Sequence, residues 1–125
     1  MADDLTDLTA ALRAFAASRQ WEQFHTPKNL AMALTGEVGE LVAELQWLTD
    51  DQVVGVSLDP HLHDRLTDEV ADVLIYLTRF ADVCGIDAVS AAHAKIARNE
   101  DRYPVDKARG NARKYTELED GSASR

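Results

Sequence analysis

The sequence predicts an all-α protein of the four-helix-bundle type. Apolar residues recur three and four positions apart along most of the chain, and no window alternates convincingly between apolar and polar residues. Residue types that cap helices precede several of these runs, and a glycine follows one of them. A chain of 125 residues suits one domain. We therefore expect a single helical domain over residues 1–118, followed by a polar, disordered tail over residues 119–125.

The first two helices are predicted before residue 50. The first spans residues 3–19, starts among aspartates that suit the positive end of a helix, and carries the apolar stripe Leu5, Leu8, Leu12 and Phe15. After a loop at residues 20–25, Thr26 is a candidate N-cap and Pro27 suits the first helical position. The second helix then spans residues 27–48, with aliphatic residues at positions 30, 34, 38, 41, 45 and 48.

A polar loop separates the second helix from the third. Gly55 and an Asp-Pro pair at its end predict that residues 49–60 form this loop. The third helix spans residues 60–84, with apolar residues at positions 62, 66, 70, 73, 77 and 80. Gly85 is well placed to end it, because glycine readily adopts the left-handed conformation found after many helices.

The fourth helix is predicted from Asp87, as its cap, to residue 102, and Pro104 ends it. The apolar stripes are long, whereas 125 residues can bury only a limited core. Such stripes are often completed by a second copy of the chain, so we expect a homo-oligomer.

Composition excludes several functional classes. The formal net charge is −9, which opposes general binding to nucleic acids, because their phosphates attract basic surfaces. No apolar run approaches the roughly 18 residues that cross a bilayer, so no membrane partner is expected. The single cysteine, Cys84, excludes an intramolecular disulfide and a cysteine-based zinc site, and its apolar neighbours predict a small core residue. These features and an N-terminus without a basic secretion signal predict a cytoplasmic protein.

A short acidic pattern occurs twice in the chain. The letters EVGEL at residues 37–41 and EVADV at residues 69–73 share the order acid, valine, small residue, acid, aliphatic residue. On a helical wheel, the acids of both copies border the apolar stripe of their helix. If the two helices pack antiparallel, four carboxylates converge at one edge of the interface: Glu37, Glu40, Glu69 and Asp72.

Such a cluster of carboxylates favours a bound hard cation. Like charges a few ångströms apart repel in a half-buried groove, so protons or metal ions must offset them. Oxygen ligands alone prefer Mg²⁺, with Mn²⁺ as a substitute, and neither motif has the histidine used by di-iron bundles. Gly36 and Gly39 leave room for another group, since each glycine otherwise costs about 1 kcal/mol in a helix interior. The alternative is that each acid pair is only a solvated helix face.

A basic segment near the end of the chain carries the complementary charge. Residues 95–114 contain seven lysines or arginines against three acids. Cationic side chains bind phosphate oxygens, and hard metals held by few carboxylates keep positions open for water and phosphates. Together these groups predict hydrolysis of a phosphate ester or anhydride. The alternatives for the segment are a solvated helix end or an oligomer contact to the acidic part of the chain.

Three aromatic residues are candidates for contact with a substrate. The helical wheel puts Trp47 and Tyr76 on the carboxylate side of their helices, and rings beside a phosphate site can stack on a nucleobase. The alternative is ordinary core filling, which is strongest for Trp21 taken alone. The sequence contains no glycine-rich phosphate or dinucleotide loop and no histidine in a recognisable triad context.

Several segments resemble the MazG-related nucleotide pyrophosphohydrolases, and among these the dCTP pyrophosphatase branch. The segments are WEQFHTPKNL at 21–30, GEVGEL at 36–41, QW at 46–47, DEVADVLIYL at 68–77, NEDRYP at 99–104 and KYTEL at 114–118. The family signature is E-x-x-E, a spacer, then E-x-x-D, which here occupies residues 37–40 and 69–72. The resemblance covers residues 12–118.

The resemblance implies a MazG-like, all-α enzyme that assembles as a homotetramer or homodimer. It implies cleavage of the α–β phosphoanhydride of dCTP, or of a related or modified pyrimidine deoxynucleotide, to the monophosphate and pyrophosphate in nucleotide-pool house-cleaning. The implied catalytic residues and Mg²⁺ ligands are Glu37, Glu40, Glu69 and Asp72. The implied substrate-binding residues are Trp21, Glu22, Gln23, Phe24, His25, Trp47 and Tyr76 for base and sugar, and Lys95, Asn99, Arg102, Arg109 and Lys114 for the phosphates.

One position departs from the pattern of this branch. The branch often carries a histidine in its first helix, facing the base pocket, where this chain has Leu12. The departure bears on base selectivity more than on the reaction, so a pyrophosphohydrolase of broader specificity is an alternative. Two further alternatives are a non-catalytic helical interaction module with a structural metal site, and a hydrolase of a phosphoribosyl nucleotide in histidine biosynthesis.

Overall fold

The computed structural model describes residues 4–54 and 59–120, and within these ranges every regular element is a helix. The helices are α1 (Leu5–Ser18), α2 (Pro27–Leu45), α3 (Asp50–Val54), α4 (Pro60–Val83), α5 (Ala88–Arg102), α6 (Val105–Ala108) and α7 (Tyr115–Asp120). All four predicted helices are present as α1, α2, α4 and α5, so the all-α class is confirmed.

The chain divides by its internal contacts into two compact units, with the boundary after Ile86. In the first unit, α2 packs along α4, and α1 packs on another part of α4. The pairing of α2 and α4 is antiparallel, because Glu44 near the end of α2 contacts Arg65 near the start of α4. The buried apolar residues of this unit are Ala16, Leu30, Leu62 and Ala81.

The helix starts follow the capping chemistry that the sequence predicts. The Thr26 hydroxyl accepts a hydrogen bond from the amide of Asn29, and Pro27 opens α2. The Asp59 carboxylate accepts from two amides at the start of α4, and the Asp87 carboxylate accepts from the amide of Ser90 at the start of α5. Each cap satisfies amides that have no partner inside the helix.

Two helices end in the same hydrogen-bonded turn. After α4, Gly85 takes a left-handed φ of 68°, and the amides of Gly85 and Ile86 donate back to Asp82 and Ala81. After α1, Gln20 takes a left-handed φ of 53°, and the amides of Gln20 and Trp21 donate back to Ala17 and Ala16. This pattern is the Schellman turn, and glycine is its usual left-handed residue. The sequence therefore predicted the turn at Gly85 but not the turn at Gln20.

Part of the predicted loop at residues 49–60 is helical instead, because α3 occupies Asp50–Val54. The Thr49 hydroxyl accepts from the Gln52 amide, and the Gln52 side chain accepts from the Thr49 amide. This reciprocal pair is a capping box, and it starts a helix at a sequence that also looks polar enough for a loop. Residues 55–58 of the predicted loop lie outside the described residues.

The second unit contains α5 and two short helices that the sequence did not predict. Pro104 ends α5 as expected, but it also precedes α6, because proline suits the start of a helix. The Glu117 carboxylate accepts from the Lys114 amide at the start of α7, in which Leu118 is buried. The tail predicted for residues 119–125 thus begins inside α7, and residues 121–125 lie outside the described residues, as does the predicted helix start at residue 3.

Two aromatic side chains of the second unit pack against each other. The rings of Tyr103 and Tyr115 meet edge to face with centroids 6.2 Å apart, and the Arg102 guanidinium lies 4.9 Å from the centre of the Tyr115 ring.

None of the helices in the described ranges has the length and apolar character needed to cross a membrane. Cys84 is exposed rather than a core residue, because it falls at the C-cap of α4, where the chain leaves the helix.

Candidate active site

Four carboxylates from α2 and α4 converge in the first unit. One oxygen from each of the four lies within 4.8 Å of the others, and together we call them the acidic cluster: Glu37, Glu40, Glu69 and Asp72. Three of them are half-buried and Glu40 is exposed. The two motifs are brought together because each borders the apolar face of its helix and those faces pack against each other.

The acidic cluster leaves two carboxylate oxygens unsatisfied. The Oε2 atoms of Glu37 and Glu69 are occluded from solvent and have no hydrogen-bond partner among the described residues. A buried polar atom without a partner costs free energy, and native structures contain few of them. Oxygens in this condition, with further carboxylates beside them, are suited to bind a cation.

The electrostatics of the acidic cluster point the same way. Partial burial is the main cause that raises the pKa of Glu37, and the nearby carboxyl of Glu40 raises it further. Partial burial likewise raises the pKa of Glu69, and the negative charge of Glu40 adds to this effect. Proximity of like charges opposes ionisation in both cases. A donor set made only of oxygens suits a hard divalent cation rather than a soft one.

A neighbouring ion pair limits the negative charge on this side of α2. Glu44 lies one turn beyond Glu40, and its Oε2 accepts from the Arg65 Nε at 2.7 Å. Among the described residues, no lysine or arginine forms an ion pair with a member of the acidic cluster. The arginine on the adjacent turn is thus paired with Glu44, and the acidic cluster keeps its own charge uncompensated.

Aromatic residues form the walls of two cavities in the same unit. A cavity of about 80 Å³ is lined by Leu12, Phe15, Trp21, His25, Ile75, Tyr76 and Arg79. A second cavity of about 300 Å³ is lined by Trp21, Phe24, His25, Asn29, Leu30, Ala33 and Tyr76. Tyr76 lies one turn beyond Asp72 on α4, so the cavities begin next to the acidic cluster along that helix.

The turn after α1 positions the indole of Trp21. Its ring meets Phe15 edge to face with centroids 5.6 Å apart, and it meets His25 in the same manner at 6.2 Å. An apolar contact between the residue after the left-handed position and the last turn of the helix commonly accompanies a Schellman turn. The segment after it is ordered locally too, because the Asn29 side chain donates to the Phe24 carbonyl at 3.1 Å.

The structure brings together only some of the predicted substrate-binding residues. Trp21, Phe24, His25 and Tyr76 line the cavities. Among the described residues, Glu22 and Gln23 line neither cavity, and the Gln23 side chain donates to the Gln20 carbonyl instead. The Trp47 side chain is 87% exposed and follows the end of α2, so it is not part of these walls in a single chain.

The five residues predicted to face the phosphates all belong to the second unit, which holds Lys95, Asn99, Arg102, Arg109 and Lys114. Arg102 contacts the ring of Tyr115 within that unit. Their roles toward phosphate stay predictions.

Sequence reasoning missed several cavity residues, and Arg79 is the most informative of them. On the helical wheel of α4 it falls on the same side as Tyr76 and Asp72, because these residues are three and four positions apart. The sequence signal that could have identified Arg79 is its positive charge on that side of α4, in an otherwise apolar segment. Phe15 and Ile75 carry no signal that separates a cavity wall from ordinary core.

Comparisons with known proteins identify the family of this chain. Residues 33–118, a range that contains both acidic motifs, match the MazG-like family. The dCTP pyrophosphatase 1 of Homo sapiens is 45% identical over 120 residues, which cover 96% of this chain and 71% of that protein, and the Bos taurus protein of the same name is 43% identical over the same shares. The crystal structure of a pyrophosphatase from Archaeoglobus fulgidus superimposes with a TM-score of 0.75 at 37% identity, covering 83% of this chain and 95% of that one. This chain belongs to the MazG-like family.

Proposed function

We propose that this protein is a Mg²⁺-dependent dCTP pyrophosphatase that removes dCTP, or a related or modified pyrimidine deoxynucleotide, from the nucleotide pool. The proposed reaction is hydrolysis of the α–β phosphoanhydride to the monophosphate and pyrophosphate. The observation that carries the proposal is the acidic cluster with its two occluded, unpartnered oxygens. The choice of dCTP as the substrate rests on relatives named dCTP pyrophosphatase 1, which are 43–45% identical to this chain. A nucleotide-pool enzyme of this kind would act in the cytoplasm.

The acidic cluster fits a magnesium ion. All four side chains offer oxygen atoms, two of those oxygens lack partners, and burial with neighbouring charge raises the pKa of Glu37 and Glu69. When bound, Mg²⁺ would supply positive charge to the phosphate oxygens and make a water molecule more acidic. The carboxylates themselves would hold and orient the cation, and the substrate would approach from the side of Glu40, the exposed member of the acidic cluster.

The aromatic cavities would hold the nucleoside. The rings of Trp21, Phe24 and Tyr76 offer flat apolar surfaces on which a base can stack. His25, which lines both cavities, would fix the orientation of the base through a hydrogen bond. The basic residues of the second unit, residues 95–114, would bind the phosphate oxygens.

We further propose that the enzyme is a homodimer or homotetramer. Apolar side chains remain exposed on the two long helices of the first unit, including Val38 and Val42 on α2 and Val70 and Leu74 on α4. Only four apolar residues of that unit are buried among the described residues. Burial of these faces by a second copy would add the core that one chain lacks.

The decisive experiment is product analysis with purified protein. Incubation with dCTP and Mg²⁺ is expected to yield dCMP and pyrophosphate in equal amounts. The Glu40→Gln and Asp72→Asn variants should lose turnover while retaining helical content by circular dichroism. Asp64→Asn is the matched control, because Asp64 is an exposed acid on α4 outside the acidic cluster. Formation of dCDP and orthophosphate, or full turnover by both cluster variants, would contradict the proposal.

A second candidate keeps the reaction and broadens the substrate. It is favoured by Leu12, an apolar residue that lines the smaller cavity and offers no hydrogen bond to a base. A comparison of kcat/KM for the common deoxynucleoside and ribonucleoside triphosphates separates the candidates. A preference for dCTP supports the first, and similar values across the bases support the second.

A further inference from the structure

Arg79 is a buried cation in the wall of an otherwise largely apolar cavity. Its relative exposure is 8%, and it lines the smaller cavity together with Leu12, Phe15 and Ile75. A buried guanidinium is strongly unfavourable unless its charge and its N–H groups are satisfied. The contacts that satisfy it therefore define what this side chain can do.

Asp82 holds Arg79 from one side. The Arg79 Nη1 donates to the Asp82 Oδ2 at 3.2 Å, and Asp82 also accepts from Arg13 on α1, whose Nε lies 2.8 Å from the same oxygen. Hydrogen bonds from Arg13 are the main cause that holds the pKa of Asp82 below its ordinary value. We call Arg13, Asp82, Arg79 and His25 the arginine network. Within it, Asp82 is a stable anion that fixes one edge of the Arg79 guanidinium.

His25 receives the other edge. The Arg79 Nε donates to the His25 Nδ1 at 3.0 Å. An arginine N–H can only donate, so Nδ1 must be the acceptor and cannot carry a proton. The remaining ring proton of a neutral imidazole then resides on Nε2, which has no hydrogen-bond partner among the described residues. Burial lowers the pKa of His25, and the positive charge of Arg79 lowers it further, so the ring is neutral at pH 7.

We propose that Arg79 is a positioning residue that locks His25 in the Nε2–H tautomer, so that His25 presents a hydrogen-bond donor to the bound base. This inference rests on the proposed function, because the base is that of the nucleotide substrate. Arg79 acts through His25 and is itself held by Asp82. Neither Arg79 nor Asp82 belongs to the acidic cluster.

A fixed donor selects among bases by their edges. Cytosine has two adjacent acceptors, O2 and N3, whereas thymine and uracil carry a proton on N3. A fixed donor that meets N3 bonds to cytosine but opposes the N3–H of thymine or uracil. His25 cannot present an acceptor at Nε2 while Arg79 donates to its Nδ1. The arginine network therefore favours cytosine over thymine and uracil, even though Leu12 adds no polar group to the same cavity.

The tautomer is tested in the substrate-free protein. Long-range ¹H–¹⁵N correlation spectra of ¹⁵N-histidine-labelled protein should show His25 as one tautomer, protonated at Nε2. Arg79→Met should give averaged signals of both tautomers and a higher His25 pKa, because the donor and the positive charge are gone. Arg13→Met is the matched control, since it removes a ligand of Asp82 and leaves the Arg79–His25 contact, so the spectrum of His25 should not change. Averaged tautomers in the wild-type protein would overturn the inference.

Steady-state kinetics test whether Arg79 acts through His25. Arg79→Met should raise KM for dCTP by about tenfold and change kcat by less than about threefold, with a loss of preference for dCTP over dTTP. In a double-mutant cycle, Arg79→Met combined with His25→Phe should be no worse than His25→Phe alone. Additive effects would show that Arg79 contacts the nucleotide itself, and would refute a positioning role.

A second variant replaces Arg79→Met if that protein does not fold. Arg79→Lys keeps the charge but cannot contact Asp82 and His25 with the same planar fork. It should therefore fold, and its KM for dCTP should still be higher than that of the wild type. If the wild-type protein does not hydrolyse dCTP, the proposed function fails, and the spectra of His25 still decide whether Arg79 fixes the tautomer.

Discussion

The acidic cluster and the arginine network are two groups of charged side chains on the same helix, α4, and they solve the problem of burial differently. In the arginine network the buried ions are paired with each other: Asp82 accepts from Arg13 and Arg79, and Arg79 donates to His25. In the acidic cluster they are not, because like charges face one another and two of the oxygens have no partner among the described residues. The comparison teaches that charges satisfied within the chain build a scaffold, whereas charges left unsatisfied mark a place for a ligand.

The largest expected effect is a loss of catalysis when a residue of the acidic cluster is replaced. Glu69→Gln should lower kcat/KM for dCTP by about 100- to 1000-fold, because one anionic ligand of the proposed metal is lost at a site where charge stabilisation matters most. Asp64→Asn, which changes an exposed acid on the same helix, should leave it unchanged. An equal loss in both variants would mean that the acidic cluster has no special role.

The next effect concerns metal-dependent stability. Because Mg²⁺ would bind the folded acidic cluster and not the unfolded chain, wild-type protein should gain about 2.7 kcal/mol of unfolding free energy at a magnesium concentration one hundred times Kd. Glu69→Gln should gain far less, and Asp82→Asn should gain as much as wild type. Thermal and urea unfolding with and without Mg²⁺ measure the difference. A gain that persists in Glu69→Gln would place the ion elsewhere.

A smaller effect on stability is expected when the arginine network is broken. Asp82→Asn should lower the unfolding free energy by about 2 kcal/mol, because it leaves the buried guanidinium of Arg79 without its anion. Arg65→Gln, which breaks the exposed pair with Glu44, should cost much less, since exposed ion pairs contribute little. Urea unfolding of the two variants compares them directly. Equal losses would show that the arginine network is no better than a surface ion pair.

The smallest effect is the opposite response of the two groups to pH in metal-free protein. The raised pKa of Glu69 means that its ionisation destabilises the fold at neutral pH, and this penalty disappears as the pH falls through the folded-state pKa. Asp82 has a lowered pKa, so its stabilisation is present above the unfolded-state pKa and is lost as the pH falls through the folded-state value.

Unfolding curves at several pH values separate these contributions from that of His25, whose lowered pKa opposes folding as the pH falls below its ordinary 6.5. Glu69→Gln should be more stable than wild type at pH 7 without Mg²⁺, and its advantage should shrink as the solution becomes acidic. Asp82→Asn should be less stable at pH 7, and its deficit should shrink only at more acidic pH. A constant difference for either variant would contradict the corresponding shift.

Local chemistry explains which parts of this structure the sequence could predict. Thr26, Asp59 and Asp87 cap their helices through atoms a few residues away, and the acids at residues 37–40 and 69–72 share a face by helical spacing alone. The helix α3 could also have been predicted, because the capping box from Thr49 to Gln52 involves only four consecutive residues. The roles of the predicted site residues go beyond geometry and remain predictions.

The arginine network could not be predicted in the same way. Arg13 and Asp82 are 69 residues apart, and Arg79 and His25 are 54 residues apart, so their contacts depend on how α1 and the loop after it pack on α4. Trp47 shows the reverse limit, since its wheel angle assumed a helix to residue 48, whereas α2 ends at Leu45. A helical wheel has no meaning beyond the last helical residue.

The left-handed turn at Gln20 has a consequence for how this pocket can change in evolution. It makes the indole of Trp21 an extension of α1 rather than part of a pliable connection. An inserted or deleted residue within α1 would rotate everything after it by about 100° and carry Trp21 and His25 away from Tyr76 and Arg79, the residues of α4 that line the same cavity. Homologues with other substrates should therefore differ here by replacing side chains while conserving the number of residues between α1 and the tryptophan.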